Sequence, residues 1–282
     1  MSEQNWQRAD AHIHLFKNGY HAEYGEGWAR ENELESYDAL RQKHQIARAL
    51  IVGFEGKEQF AGNNRNLANW GKTHPWMAPL CYVNCQRVPS ITTLRNPFVG
   101  VALYVGSEED AQSLAAWPPR FYEKFNERRA IISINTAPPL LEKLAPFIER
   151  VSNCPVLISH LGLPGRFAKA PSPVAAAKAL QPLCNLAKYK NVYIKISGLY
   201  AVSDPAYDYP HQSALPLLRG IYDAFGPEKL LWGSDFSPCL EHISFVQAVE
   251  ALEVLNKTLQ WPEREMQQIR GGNLLELLEG CI

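Results

Sequence analysis

Hydrophobic and polar positions follow two rhythms along the 282-residue chain. Short runs rich in Val, Ile, Leu and Ala predict strands at 8–14, 47–52, 77–83, 99–105, 130–135, 155–160, 192–197 and 229–233. The intervening stretches predict helices at 37–44, 64–73, 120–128, 140–151, 173–189, 211–225, 244–259, 262–269 and 274–278. In the stretch 140–151, Leu141, Leu144, Phe147, Ile148 and Val151 share one helical face. Ser36 is the candidate cap of the first helix, and Ser172 with Pro173 opens the stretch 173–189. Strands alternating with helices predict an α/β fold with a parallel sheet and right-handed crossovers. Eight such units in one undivided chain favour a single closed (β/α)8 barrel spanning residues 1–282 over an open sheet. There is no sequence repeat and no shift in composition to mark a second domain.

Composition narrows the classes. Hydrophobic residues make up 46% and charged residues 20%, with a formal net charge of −1. This balance gives no reason to expect nucleic acid or an anionic membrane as partner, and no apolar run is long enough to span a bilayer. The polar first eight residues lack the apolar core of a signal peptide. Six cysteines without CxxC or zinc-finger spacing read as reduced thiols of a cytosolic protein. Three connections are long or rich: 16–35, 162–172 with Arg166 and Lys169, and 198–210 with Tyr200, Asp204, Tyr207, Asp208 and Tyr209. Each follows a strand, where barrel loops build an active site.

Strand parity then collects the candidate chemistry. Residues at i and i+2 point the same way, so Asp10, His12 and His14 are expected on one face and Ala11 and Ile13 on the other. By the same rule Val156, Ile158 and His160 align, Lys195 aligns with Ser197, and Leu231 and Gly233 align with Asp235. His12, His14, His160 and Asp235 would then converge at the C-terminal mouth of the barrel. Imidazole is the commonest metal ligand and titrates near neutrality. Four convergent groups are hard to explain as packing, although Asp235 as a helix cap and His160 as a backbone-bonded strand end are the plain alternatives.

The segments Asp10–His14, Ile158–Gly162, Tyr193–Leu199, Trp232–Asp235 and Gly272–Leu275 resemble, in order, those of the amidohydrolase superfamily. The similarity is to its amidohydrolase-2 branch, with sugar-lactone and pyrone-dicarboxylate lactonases and, more distantly, decarboxylases. The resemblance implies that His12 and His14 are the strand-one pair, His160 the strand-six histidine and Asp235 the strand-eight aspartate. It also implies a metal site of His12, His14 and Asp235, zinc by preference. Strand four offers no lysine or glutamate to bridge two metals, so at most one ion is expected. Asn135 stands where mononuclear members often carry a histidine, and metal-free catalysis stays open.

The expected activity is hydrolysis of a lactone of a sugar acid or ring-derived acid. Asp235 would take a proton from water, and His160 would orient the carbonyl or protonate the leaving oxygen. Tyr82, Tyr104, Asn135, Lys195, Arg166 and Tyr207 are candidates for contacting a small-molecule substrate; Asn84, Arg65 and Lys169 are further possibilities. Lys195 reads equally as a buried cation paired with a strand-end carboxylate. Other readings are a metal-dependent decarboxylase on the same scaffold and a degenerate binding barrel. His21, His44, His74, His211 and His242 carry no supporting pattern, and the oligomeric state is open.

Overall fold

The computed structural model describes residues 7–22, 25–26 and 32–281. Eight parallel strands run in chain order around one sheet: β1 (Arg8–Ile13), β2 (Ile46–Val52), β3 (Met77–Val83), β4 (Gly100–Val105), β5 (Ile131–Thr136), β6 (Val156–Ile158), β7 (Val192–Ile196) and β8 (Leu230–Trp232). An Ile13–Phe236 bridge and the Asp235 amide donating to the His12 carbonyl at 2.8 Å join the last strand to the first. The fold is the expected (β/α)8 barrel.

The strands divide their side chains between two cores. Ile51, Leu103, Ile134, Ile158, Ile196 and Trp232 pack outward against the helices. Ala9, Ala11, Leu50, Leu80, Ala102, Ile131, Leu157 and Leu231 fill the barrel interior. The terminal helix (Asn273–Glu279) sends Leu274, Leu277 and Leu278 into the lower end of that interior. The Asn273 amide pins this helix by donating to the carbonyls of Pro227 and Leu230, each at 2.8 Å. The N-terminal end is therefore plugged, which leaves the C-terminal mouth for the site.

Helix boundaries show where sequence reasoning fell short. Helix α1 (Glu33–Lys43) starts ahead of the predicted segment, with Asn32 and not Ser36 at the N-cap position, where its side chain makes no capping hydrogen bond. The stretch 140–151 is broken into Pro138–Leu141, a tight turn at Glu142–Leu144, and Ala145–Arg150. Pro146 explains the break, because it lacks an N–H and crowds the preceding turn. A helix at Glu108–Ala115, capped reciprocally by Ser107 and Asp110, was not anticipated. A short hairpin of His21–Ala22 with Gly25–Glu26 lies within the connection 16–35, where residues 23, 24 and 27–31 fall outside the described set, as do residues 1–6. Among the described residues no helix is long and apolar enough to cross a membrane.

Candidate active site

The strand-one face does not follow simple alternation. Asp10 pairs with Ala49 and Ile13 with Ile51, so two residues, Ala11 and His12, oppose Leu50 alone. This bulge resets the parity. Ala11 joins the barrel interior, contrary to expectation. Asp10 turns away from His12 and His14, accepting from the Tyr37 hydroxyl of α1 at 3.0 Å and from the Ser234 and His12 amides at 2.9 and 3.1 Å. The buried Asp10 carboxyl is thus a brace, its pKa raised by burial to about 6.

His160 also reaches the mouth by another route. Val156 and Ile158 pack outward and Leu157 inward, so parity does not align His160 with them. The strand has ended, and a left-handed backbone at His160 (φ 54) turns its ring inward. Asp235 likewise follows β8 in a left-handed conformation (φ 60). Two glycines make room. A Cβ on Gly198 would lie 2.5 Å from His160 Nδ1, and one on Gly233 would lie 2.9 Å from His12 Cβ.

The four groups meet. His12 Nε2 lies 3.2 Å from His14 Nε2 and 3.5 Å from Asp235 Oδ1, and His14 Nε2 lies 3.8 Å from that oxygen. Asp235 Oδ2 faces His160 Nδ1 at 3.8 Å and accepts from the Tyr200 hydroxyl at 2.6 Å. Ser197 Oγ is 3.1 Å from His160 Nδ1. His14 Nδ1 donates to the Val52 carbonyl at 2.8 Å, leaving the Nε2 lone pair facing the site. Burial holds His12 well below the usual imidazole range and takes His14 and His160 down to about 4, so all three rings are neutral at pH 7. Burial lifts Asp235 to about 6, against the opposing pull of His14 and Tyr200.

These donors fit one divalent ion. Atoms bound to a tetrahedral zinc at about 2.0–2.1 Å stand about 3.3–3.4 Å apart, close to the 3.2, 3.5 and 3.8 Å separations of His12, His14 and Asp235. Donor atoms of His12, His160 and Asp235 also lie within 4.8 Å of one another. Among the described residues β4 turns Ala102 and Tyr104 toward the interior, neither of which can bridge two metals.

Lys195 departs from the carboxylate pairing expected of it. Its Nζ donates to Ser133 Oγ at 2.6 Å and sits 3.2 Å from His12 Nδ1. Full burial takes this amine down to about 7. A neutral amine can accept the Nδ1 proton of a His12 that binds metal through Nε2, whereas an ammonium would donate to Nδ1 instead.

The remaining candidates separate by position. Tyr104 packs on the inner cluster beside Tyr82, ring centres 6.0 Å apart, and Asn135 pairs with Tyr104 across β4 and β5. Phe54 packs on both tyrosines, at 5.6 and 4.6 Å, and Phe16 stacks on Phe60 at 4.1 Å and on His14 at 5.9 Å. This aromatic wall was missed because Phe16 and Phe54 lie in loops and Phe60 in a single short helical turn, none long enough to show periodicity. Arg166 donates to the Ser203 carbonyl from Nε and Nη2, both at 3.3 Å, which ties two loops together. Tyr207 is 72% exposed. Asn84 accepts from the Gln86 amide within its own turn, and Arg65 and Lys169 are exposed. His211 is buried with both ring nitrogens unpartnered beside a cavity of about 20 Å³ behind Ser197 and Tyr200, enough for one water. Tyr200, Ser133 and Glu33 complete the site without having been singled out as site residues.

The amidohydrolase profile matches residues 9–279. The chain belongs to the amidohydrolase family. An L-fucono-1,5-lactonase of Burkholderia ambifaria is 29% identical over 102 residues, covering 35% of this chain and 32% of that protein's length. An amidohydrolase of Burkholderia multivorans with bound zinc superposes with a TM-score of 0.73 at 17% identity, covering 97% of this amidohydrolase and 99% of that chain. A probable 2-pyrone-4,6-dicarboxylic acid hydrolase of Acinetobacter baumannii with citric acid bound gives 0.72 at 20% identity, with the same coverage.

Proposed function

We propose that this amidohydrolase opens a small cyclic ester, with Asp235 taking the proton from the attacking water. The observation that carries the reading is the Asp235 carboxylate, buried among three neutral imidazoles and bonded to Tyr200 at the barrel mouth. A base held near pH 6 suits work at neutrality. Two of the similar proteins bear the names of ring-ester hydrolases, which favours a lactone.

Water oxygen bonds to the ester carbonyl carbon as its proton passes to Asp235. The C–O bond of the ring then breaks, and the ring oxygen takes a proton relayed through Asp235 or His160, giving an open hydroxy acid. A single divalent ion, zinc by its donor set, would be held by His12, His14 and Asp235 and would supply positive charge that polarises the carbonyl. In metal-free turnover an N–H of the neutral His160 ring would polarise it, since His14 has committed its own N–H to the Val52 carbonyl. Tyr82, Tyr104 and Asn135 contact the substrate from the neighbouring strand ends, and Lys195 orients His12. The six cysteines, all free, suit a reducing cytosol.

A pH-indicator screen against a lactone panel, with and without chelator, tests the reading. Acid release from at least one lactone, abolished in Asp235→Asn, supports it. No hydrolysis anywhere in the panel, with carbon dioxide released from ring carboxylic acids, would replace it with the decarboxylase reading.

A further inference from the structure

Glu33 opens α1, yet its carboxylate serves two other segments. It is fully buried. Oε2 accepts from the Phe16 amide at 2.6 Å, and Oε1 accepts from the Tyr20 amide at 2.7 Å and the Ser237 hydroxyl at 2.6 Å. Phe16 lies two residues beyond His14, and Ser237 lies two residues beyond Asp235. Phe16 and Tyr20 also stack on Phe60 at 4.1 and 6.2 Å, at one edge of the aromatic wall.

We infer that Glu33 is a positioning residue, a clasp through which one buried carboxylate sets both the aromatic base of the β1 loop and the loop carrying Asp235. The inference rests on the reading of Asp235 as the base. The reason is chemical. Three donors converge on two oxygens, and a carboxylate accepts at both ends, whereas an amide accepts at only one. A clasp made of one group also couples its two ends, because loosening the carboxylate frees both loops at once. Ser237 holds only the second loop, so the two residues have separable effects. No short-range signal marks Glu33, whose partners lie 13, 17 and 204 positions away.

The test uses Glu33→Gln and Ser237→Ala in the full chain. Amide hydrogen exchange is followed at residues 16–20 and 236–240, with kcat and KM measured on a hydrolysed lactone at about pH 8, where the Glu33 carboxylate is ionised. In Glu33→Gln, exchange should rise in both segments, KM should rise, and kcat/KM should fall about 10- to 100-fold, the loss expected of a charge-assisted hydrogen bond. In Ser237→Ala, exchange should rise only at 236–240, and kcat should fall with KM unchanged. A structural residue would reduce kcat alone in both variants. Loosening confined to one segment in Glu33→Gln, or an unchanged KM, overturns the clasp. If Glu33→Gln does not fold, Ser237→Ala decides: unchanged kcat or loosening at 16–20 overturns it. Should the parent hydrolyse no lactone, the exchange pattern still judges the clasp, while the lactonase reading falls separately.

Discussion

The Tyr200 hydroxyl donates to Asp235 Oδ2 at 2.6 Å, so a residue of the β7 loop holds the oxygen that faces away from the strand-one histidines. Removing a hydrogen bond to a charged group costs about 1.5–3 kcal/mol. Tyr200→Phe should therefore lower kcat/KM about 10- to 100-fold, with a fall of several degrees in melting temperature. Parent-like kinetics would show that Asp235 is oriented without it.

Asp235→Asn keeps the shape and loses basicity. The expected loss in kcat is about 10² to 10⁴, the usual share of a general base. Turnover within a few-fold of the parent would remove Asp235 from its assigned role.

Metal content follows from the donors. Elemental analysis of gently purified protein should give at most one equivalent of zinc or a similar divalent ion. His12→Ala and His14→Ala should each lower that content. Two equivalents in the parent, with activity lost as each is removed, would contradict the inference from Ala102 and Tyr104 on β4.

Position at the mouth predicts which tyrosines matter. Tyr104→Ala should raise KM on the better lactones, since its ring packs on the barrel interior beside Tyr82. Tyr207, 72% exposed, should tolerate Ala with the ranking of lactones unchanged. A reordered ranking in Tyr207→Ala would show that the loop folds over bound substrate.

Burial raises the Glu33 pKa from 4.5 to about 7, outweighing the lowering by Ser237, Phe16 and Tyr20. A raised folded-state pKa means that the folded chain binds more protons between these values. The associated stability is present below about pH 4.5 and is lost as pH rises through about 7, an amount of about 3 kcal/mol. Denaturant melts of Glu33→Gln should therefore show a shallower decline than the parent over that window. Parallel curves would mean that Glu33 keeps an ordinary pKa.

Much was legible in the chain itself. The apolar runs located all eight barrel strands because a strand packed on both faces needs near-continuous Val, Ile, Leu and Ala. The order of His12, His14, His160 and Asp235 along those strands named the groups that meet, since the ends of parallel strands share one mouth. Lys195 and Ser197 fell on the inner face as alternation requires.

Tertiary structure decided how those groups arrive. Alternation fails where the first strand bulges and the sixth ends, so Asp10 braces Tyr37 and Ser234 and His160 enters on left-handed backbone, while Asp235 keeps the inner face it shares with Leu231. Pairing with the neighbouring strand sets such bulges, and a single strand's residues do not encode that pairing. The Phe16, Phe54 and Phe60 wall, the Tyr200–Asp235 bond and the Glu33 clasp join residues from separate loops. Their contacts exist only once the barrel has closed and brought those loops around one mouth.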